Sequence, residues 1–152
     1  MKSLARARDR DEILRRLHAV RPDSARRWGR MTAPQMVCHL ADAFRMATGE
    51  QPVTSRGVPL PRAFVKWFAL YVPLRWPEGI LTSPEIDQAL GGTKPGDFAQ
   101  DVARVETQIE IVIGEARALG RQAHPVFGRM SGADWLRWAY VHTDHHLRQF
   151  GV

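Results

Sequence analysis

The sequence predicts an all-α protein: a four-helix bundle of up-and-down type with one long crossover, in a single domain over residues 1–152. Three observations predict it. Apolar residues recur three and four apart along several long segments, the period of a helix with one buried face. Those segments open and close on residues that cap helices. Strand-like alternation is scarce, and the 152 residues contain no internal repeat.

The first helix is opened by Asp9 or Asp11, and Ile13, Leu14, Leu17 and Val20 give it an apolar stripe. Pro22 closes it, since proline has no N–H to donate and biases the residue before it away from helix. Residues 21–30 form a connector, with a short helical turn expected at 25–28. Thr32-Ala-Pro-Gln35 then starts the second helix. Thr32 is suited to the N-cap, Pro34 to the first turn, and Gln35 to reaching back in a capping box. Met36, Leu40, Ala43 and Ala47 share one face, with Val37 and Phe44 beside them, and Gly49 ends the helix. His39 borders this stripe, where a side chain can reach into a cleft between helices. Cys38 points about 100° away from it and belongs to the core.

Residues 51–61, rich in proline and glycine, read as a loop. A third helix is expected over 62–74, with Pro73 and Pro77 ending it. Its aromatics Phe64, Trp67, Phe68 and Tyr71 have the spacing of a core stripe, the favoured reading, or of a pocket lining. Residues 76–96 read as irregular, with a short turn at 83–90. Asp97 caps the next helix, in which Phe98, Val102, Val105, Ile109, Val112, Ala116 and Leu119 alternate steps of four and three as far as Gly120. Ser131-Gly-Ala-Asp134 is a second capping box and launches the last helix.

Composition narrows the function. Cys38 is the one cysteine, so an internal disulfide and a cysteine-based zinc finger are both excluded. The net charge of +6 comes from arginines spread along the chain, densest between Arg6 and Arg30. No basic helix alternates with exposed aromatics, so neither nucleic acid nor a membrane surface is the expected partner. The most apolar segment, 63–72, is interrupted by Lys66 and falls far short of the roughly 20 residues that span a bilayer. The N-terminal residues carry no apolar run of the secretory kind. A cytoplasmic location is expected.

The last helix carries the chemistry. His142, His145 and His146 lie close together, and His142 and His146 are four apart, on one face. Gln149 returns to that face, and Trp135, Trp138 and Ala139 mark it as inward. Two imidazoles on a buried face need partners for their ring nitrogens, either a metal ion or carboxylates and water. A metal needs at least one more ligand, and His39 is the candidate. Zinc, nickel and iron accept imidazole, and three histidines leave coordination positions open. His145 is read as a ligand in place of either neighbour, or as a group behind or outside the ligands. Asp42 and Asp144 are read either as acceptors for the distal N–H of a ligand imidazole or as solvated carboxylates. His18 is read as a helix-surface residue and His124 as a loop residue.

Met36-Val-Cys-His-Leu40 with His142-Thr-Asp-His-His-Leu-Arg-Gln149 resembles the DinB-like superfamily. Trp28-Gly-Arg-Met-Thr-Ala-Pro-Gln-Met36, Lys94-Pro-Gly-Asp-Phe98, His124-Pro-Val-Phe-Gly128, Trp135 and the Gln149-Phe-Gly151 ending are closest to an uncharacterised branch of it. The resemblance implies a four-helix bundle that holds a divalent metal, zinc or nickel, on His39, His142 and His146. It implies a glutamine after the last ligand, matched by Gln149. The family's His-Arg-Gly-Gln stands here as His-Leu-Arg-Gln, with Arg148 displaced by one position. Superfamily members with assigned activity include thiol-dependent S-transferases and a mycothiol-dependent isomerase. The implied function is therefore thiol S-transfer or a related metal-dependent reaction, in which the metal activates a low-molecular-weight thiol or water against a small-molecule substrate. Arg148 or Arg45 are candidates to hold an anionic cofactor, with surface arginine as the plainer reading of each. A homodimer is the expected assembly, and the alternative function is a non-catalytic bundle with structural histidines that binds a ligand or serves through dimerisation.

Overall fold

The computed structural model describes residues 1–152 apart from Arg56 and Val58. Its helices are α1 (Ala7–His18), α2 (Ala33–Thr48), α3 (Arg62–Tyr71), α4 (Phe98–Gly114), α5 (Ala116–Leu119) and α6 (Gly132–Gln149). A short 3-10 turn spans Pro84–Ile86, and a small antiparallel hairpin pairs β1 (Ala123–His124) with β2 (Gly128–Arg129). The protein is all-α in architecture, and α1, α2, α4 and α6 form the bundle.

Cross-helix contacts give the direction of each helix. Leu4 N donates to the Leu136 carbonyl near the start of both α1 and α6, and Arg16 pairs with Asp144 near their ends, so these two run in the same sense. Arg10 faces Glu110 and His18 faces Glu106, so α4 runs against α1. His39 meets His142 while Phe44 meets Trp138, so α2 runs against α6. The order is up, down, down, up. The long crossover between α2 and α4 is what lets two consecutive bundle helices point the same way.

Local signals set most helix ends. Thr32 and Gln35 form the expected capping box at α2, and Ser131 and Asp134 form the second at α6. The Asp97 side chain accepts from Gln100 N at the start of α4. Gly49 ends α2 at φ 86°. Gly132 is required by close approach, because a Cβ there would sit 2.0 Å from the Ala116 carbonyl oxygen. The start of α6 thus lies directly on α5. Expected α4 stops short at Gly114, and Glu115 leaves helical geometry before α5 resumes. A glycine inside a helix weakens it by roughly 1 kcal/mol relative to alanine, so the break falls there.

Other expectations are corrected. Helix α1 starts at Ala7 without a side-chain cap, and Asp9 in its first turn accepts from Ser3 N instead. Residues 25–28 are not helical, and the turn lies earlier, where Ser24 N donates to the Arg21 carbonyl. Helix α3 ends at Tyr71 because Val72 precedes Pro73 and turns extended. The described residues of the 51–61 loop contain no helix or strand; Arg56 and Val58, which that expectation also covers, lie outside them.

The largest correction concerns α3. Its aromatic stripe is not core: Phe64, Trp67, Phe68 and Tyr71 are exposed, Trp67 by 54%. The buried residue is Leu70, which lies to one side of the stripe. Polar ties fix this orientation. Lys66 and the Tyr71 hydroxyl both reach Asp134, and Arg137 donates to the Leu70 carbonyl. Period alone marks a face, and the partner decides which way it looks.

Candidate metal centre

His39 is carried by α2, and His142 and His146 by consecutive turns of α6. Because α2 and α6 run in opposite senses, His39 lies level with the pair. Each of the three offers one ring nitrogen, and these atoms all fall within 4.8 Å of one another. The Nε2 atoms of His39 and His142 are 3.3 Å apart. All three side chains are buried.

Tautomers follow from the outer partners. His39 Nδ1 lies 2.9 Å from the Ile86 carbonyl, which can only accept, so Nδ1 carries the hydrogen and Nε2 is left bare. Gln149 Nε2 donates to the Trp28 carbonyl at 2.8 Å, which turns the amide oxygen toward His146 Nδ1 at 3.1 Å. His146 therefore also donates through Nδ1 and keeps Nε2 bare. Burial pushes His39 below its ordinary pKa. Burial, reinforced by neighbouring imidazoles, holds His142 and His146 well below theirs. Neutral rings with lone pairs aimed inward are the form that binds metal. The donor set therefore fits a divalent cation: a shared ion offsets the lone-pair repulsion that 3.3 Å otherwise imposes unless a proton sits between.

The remaining candidates fall differently. His145 is buried beside the cluster, with its ring 5.3 Å from that of His146, but it does not join the converging set. Burial and then Arg148 push it down to about 4. Asp42 does not touch His39. It accepts from Thr93 N, Thr93 Oγ1 and Gln88 Nε2, and so pins the segment that presents the Ile86 carbonyl. Asp144 pairs with Arg16 and Arg148, not with an imidazole. Arg148 is engaged by Asp144, and Arg45 by Glu50 and Asp42, so each already has a carboxylate. Cys38 is pushed up to about 12 by burial and by Asp101, which keeps it a thiol. His18 pairs with Glu106 at the surface.

The cluster sits against an apolar cavity of about 290 Å³. All four of His39, His142, His145 and His146 line it, with Phe68, Trp76, Phe127 and Trp138 among the walls. Trp138 stacks on His142 at 4.9 Å and 11°. Trp76, from the crossover, lies 6.1 Å from the same ring, and its indole N–H is held by the Ala69 carbonyl. Sequence reasoning missed three contributors: Trp76, the Ile86 carbonyl and His124. His124 is not a simple loop residue but a buried strand residue lining the cavity.

The family model for the DinB superfamily matches residues 5–150. The chain belongs to the DinB superfamily. That superfamily is metal-binding, and the mostly helical structure is consistent with an all-α DinB-like fold. No curated protein and no solved structure matches the chain. No helix among the described residues is long and apolar enough to cross a membrane.

Proposed function

We propose that this DinB protein is a metal-dependent enzyme of the thiol S-transferase type, or a related hydrolase, acting on small apolar electrophiles. His39, His142 and His146 would hold the cation, with zinc or nickel best suited to three neutral imidazoles. The observation that carries the reading is the convergence of three ring nitrogens beside an apolar cavity. A bound cation would supply positive charge that keeps a low-molecular-weight thiol, or water, in its anionic form near neutral pH.

The chain's own residues supply the rest. Ile86 and Gln149 fix two imidazoles so that bare nitrogens face one point. Trp138, Trp76 and Phe127 exclude water and hold an apolar substrate body. Cys38, a buried thiol, takes no part as a nucleophile. The reading places the protein in the cytoplasm, without nucleic-acid or membrane partners.

Elemental analysis of protein purified without added metal is the test. About one equivalent of zinc or nickel is expected, lost in the His142→Ala, His146→Ala double variant. Full occupancy in that variant would remove the basis for the reading. Thiol consumption with a chromogenic electrophile then separates transfer from hydrolysis.

One observation favours a second reading, a non-catalytic bundle that assembles as a homodimer. The aromatic face of α3 is outward, and clustered exposed apolar side chains of this kind mark contact surfaces. That reading expects no stoichiometric metal, and a dimer that Trp67→Asp converts to monomer in sedimentation.

A further inference from the structure

His124 is the one cavity histidine outside the α2–α6 cluster. It stands at the end of β1, opposite Gly128. Its Nδ1 lies 3.1 Å from Val126 N and 3.2 Å from Phe127 N. Both backbone groups can only donate, so Nδ1 is an acceptor and bears no hydrogen. The ring is 8% exposed, and its burial drives its pKa down to about 3, so it is neutral. A neutral imidazole without hydrogen on Nδ1 carries it on Nε2. That Nε2–H has no partner among the described residues, nor is it one of the nitrogens sealed from solvent. Phe127 stacks on one face of the ring at 4.4 Å, and Trp135 and Trp138 enclose it. The residue lines the same cavity as His142 and His146.

A fixed donor open to an otherwise largely apolar cavity favours a ligand that can accept from it, because it supplies directed polarity where the walls supply little. We propose that His124 is a substrate-binding residue whose Nε2–H holds the carbonyl oxygen of an apolar, carbonyl-bearing substrate in the cavity. The inference rests on the cavity being the substrate's place, as proposed above. It narrows the substrate class from apolar electrophiles to those with an oxygen acceptor set into an apolar body. Being neutral and unable to give up its proton near pH 7, His124 orients the carbonyl by hydrogen bonding and does not act as an acid.

The test compares two probes of similar shape, acetophenone and ethylbenzene, titrated into the purified protein and followed by tryptophan fluorescence. The native chain should bind the ketone about tenfold more tightly, the worth of one hydrogen bond in a dry site. The variant is His124→Asn, whose amide oxygen can stand in for Nδ1 and keep the Val126 and Phe127 N–H groups satisfied. It should bind both probes alike. A preference that survives in the variant, or a native chain with no preference or no measurable ketone binding, would overturn the proposal. Nitrogen-15 spectra of the native imidazoles give a second readout that requires no variant. His124 should show hydrogen on Nε2, and that resonance should move with acetophenone but not with ethylbenzene; hydrogen on Nδ1, or no movement, sinks the idea. Neither measurement needs metal or thiol, so a failed metal analysis leaves the ratio intact and a flat ratio leaves the metal reading intact.

Discussion

Helices α6 and α3 carry the same kind of stripe, aromatic residues three and four apart, and use it in opposite ways. In α6, Trp135 is 1% exposed and Trp138 is buried against His142. In α3, Phe64 and Trp67 are exposed and Phe68 edges the cavity, while Leu70 makes the buried contact. Length and partners explain the difference. Helix α6 has 18 residues and packs against α1, α2 and α5, whereas α3 has 10 and packs chiefly on α6. An aromatic stripe becomes core only where other elements close over it.

The contrast is broken most directly by truncating each stripe. Trp135→Ala should cost about 3–5 kcal/mol in denaturant unfolding, the range for emptying a large buried aromatic site. An effect near zero would mean that α6 is not the centre of the core. At the other end of α6 the stripe gives way to the candidate ligands His142 and His146, and Gln149→Leu should weaken metal binding by about 10–100-fold with the fold intact, measured by competition with a chelator. Gly29→Ala offers a check on the same bond, because a Cβ there meets the Gln149 amide nitrogen at 2.4 Å.

Acid should act on the buried side more than on the exposed one. Burial holds His124 down at about 3, against about 6.5 in an unfolded chain. Between those values the unfolded chain takes up a proton that the folded protein refuses. Stability from this residue is therefore complete above about pH 6.5 and falls as pH drops, by at most about 1.4 kcal/mol per pH unit. His145, pushed down to about 4, acts in the same direction. In urea titrations, His124→Asn should show a shallower loss between pH 6 and pH 4. The smallest effect belongs to α3: Trp67→Ala should change monomer stability by no more than about 0.5 kcal/mol. A larger loss would show that this face is covered.

Which parts were legible in the sequence follows from how local each signal is. Thr32, Gln35, Asp97, Ser131 and Asp134 act within one helical turn, so their caps could be read directly. His142 and His146 share a face by spacing, and His39 needed only two helices to meet. The outer partners were not legible. Asp42 looked like a partner for an imidazole but serves Gln88 and Thr93 instead, because the crossover folds back onto α2. The Ile86 carbonyl has no side-chain signature at all. His124 looked like a loop residue because β1 has just two residues, too few for alternation to register. The outward face of α3 was misread because periodicity has no sign.

His39 and His142 stand 103 residues apart in the chain and end up side by side. An ion gripped by both helices is therefore a removable cross-link between the early and late parts of the polypeptide. Its binding energy would be added to folding energy by mass action, about 2.7 kcal/mol when free ion is at a hundred times its dissociation constant. The melting temperature of this protein should then follow the free-ion concentration, and chelation should lower it without altering a single residue.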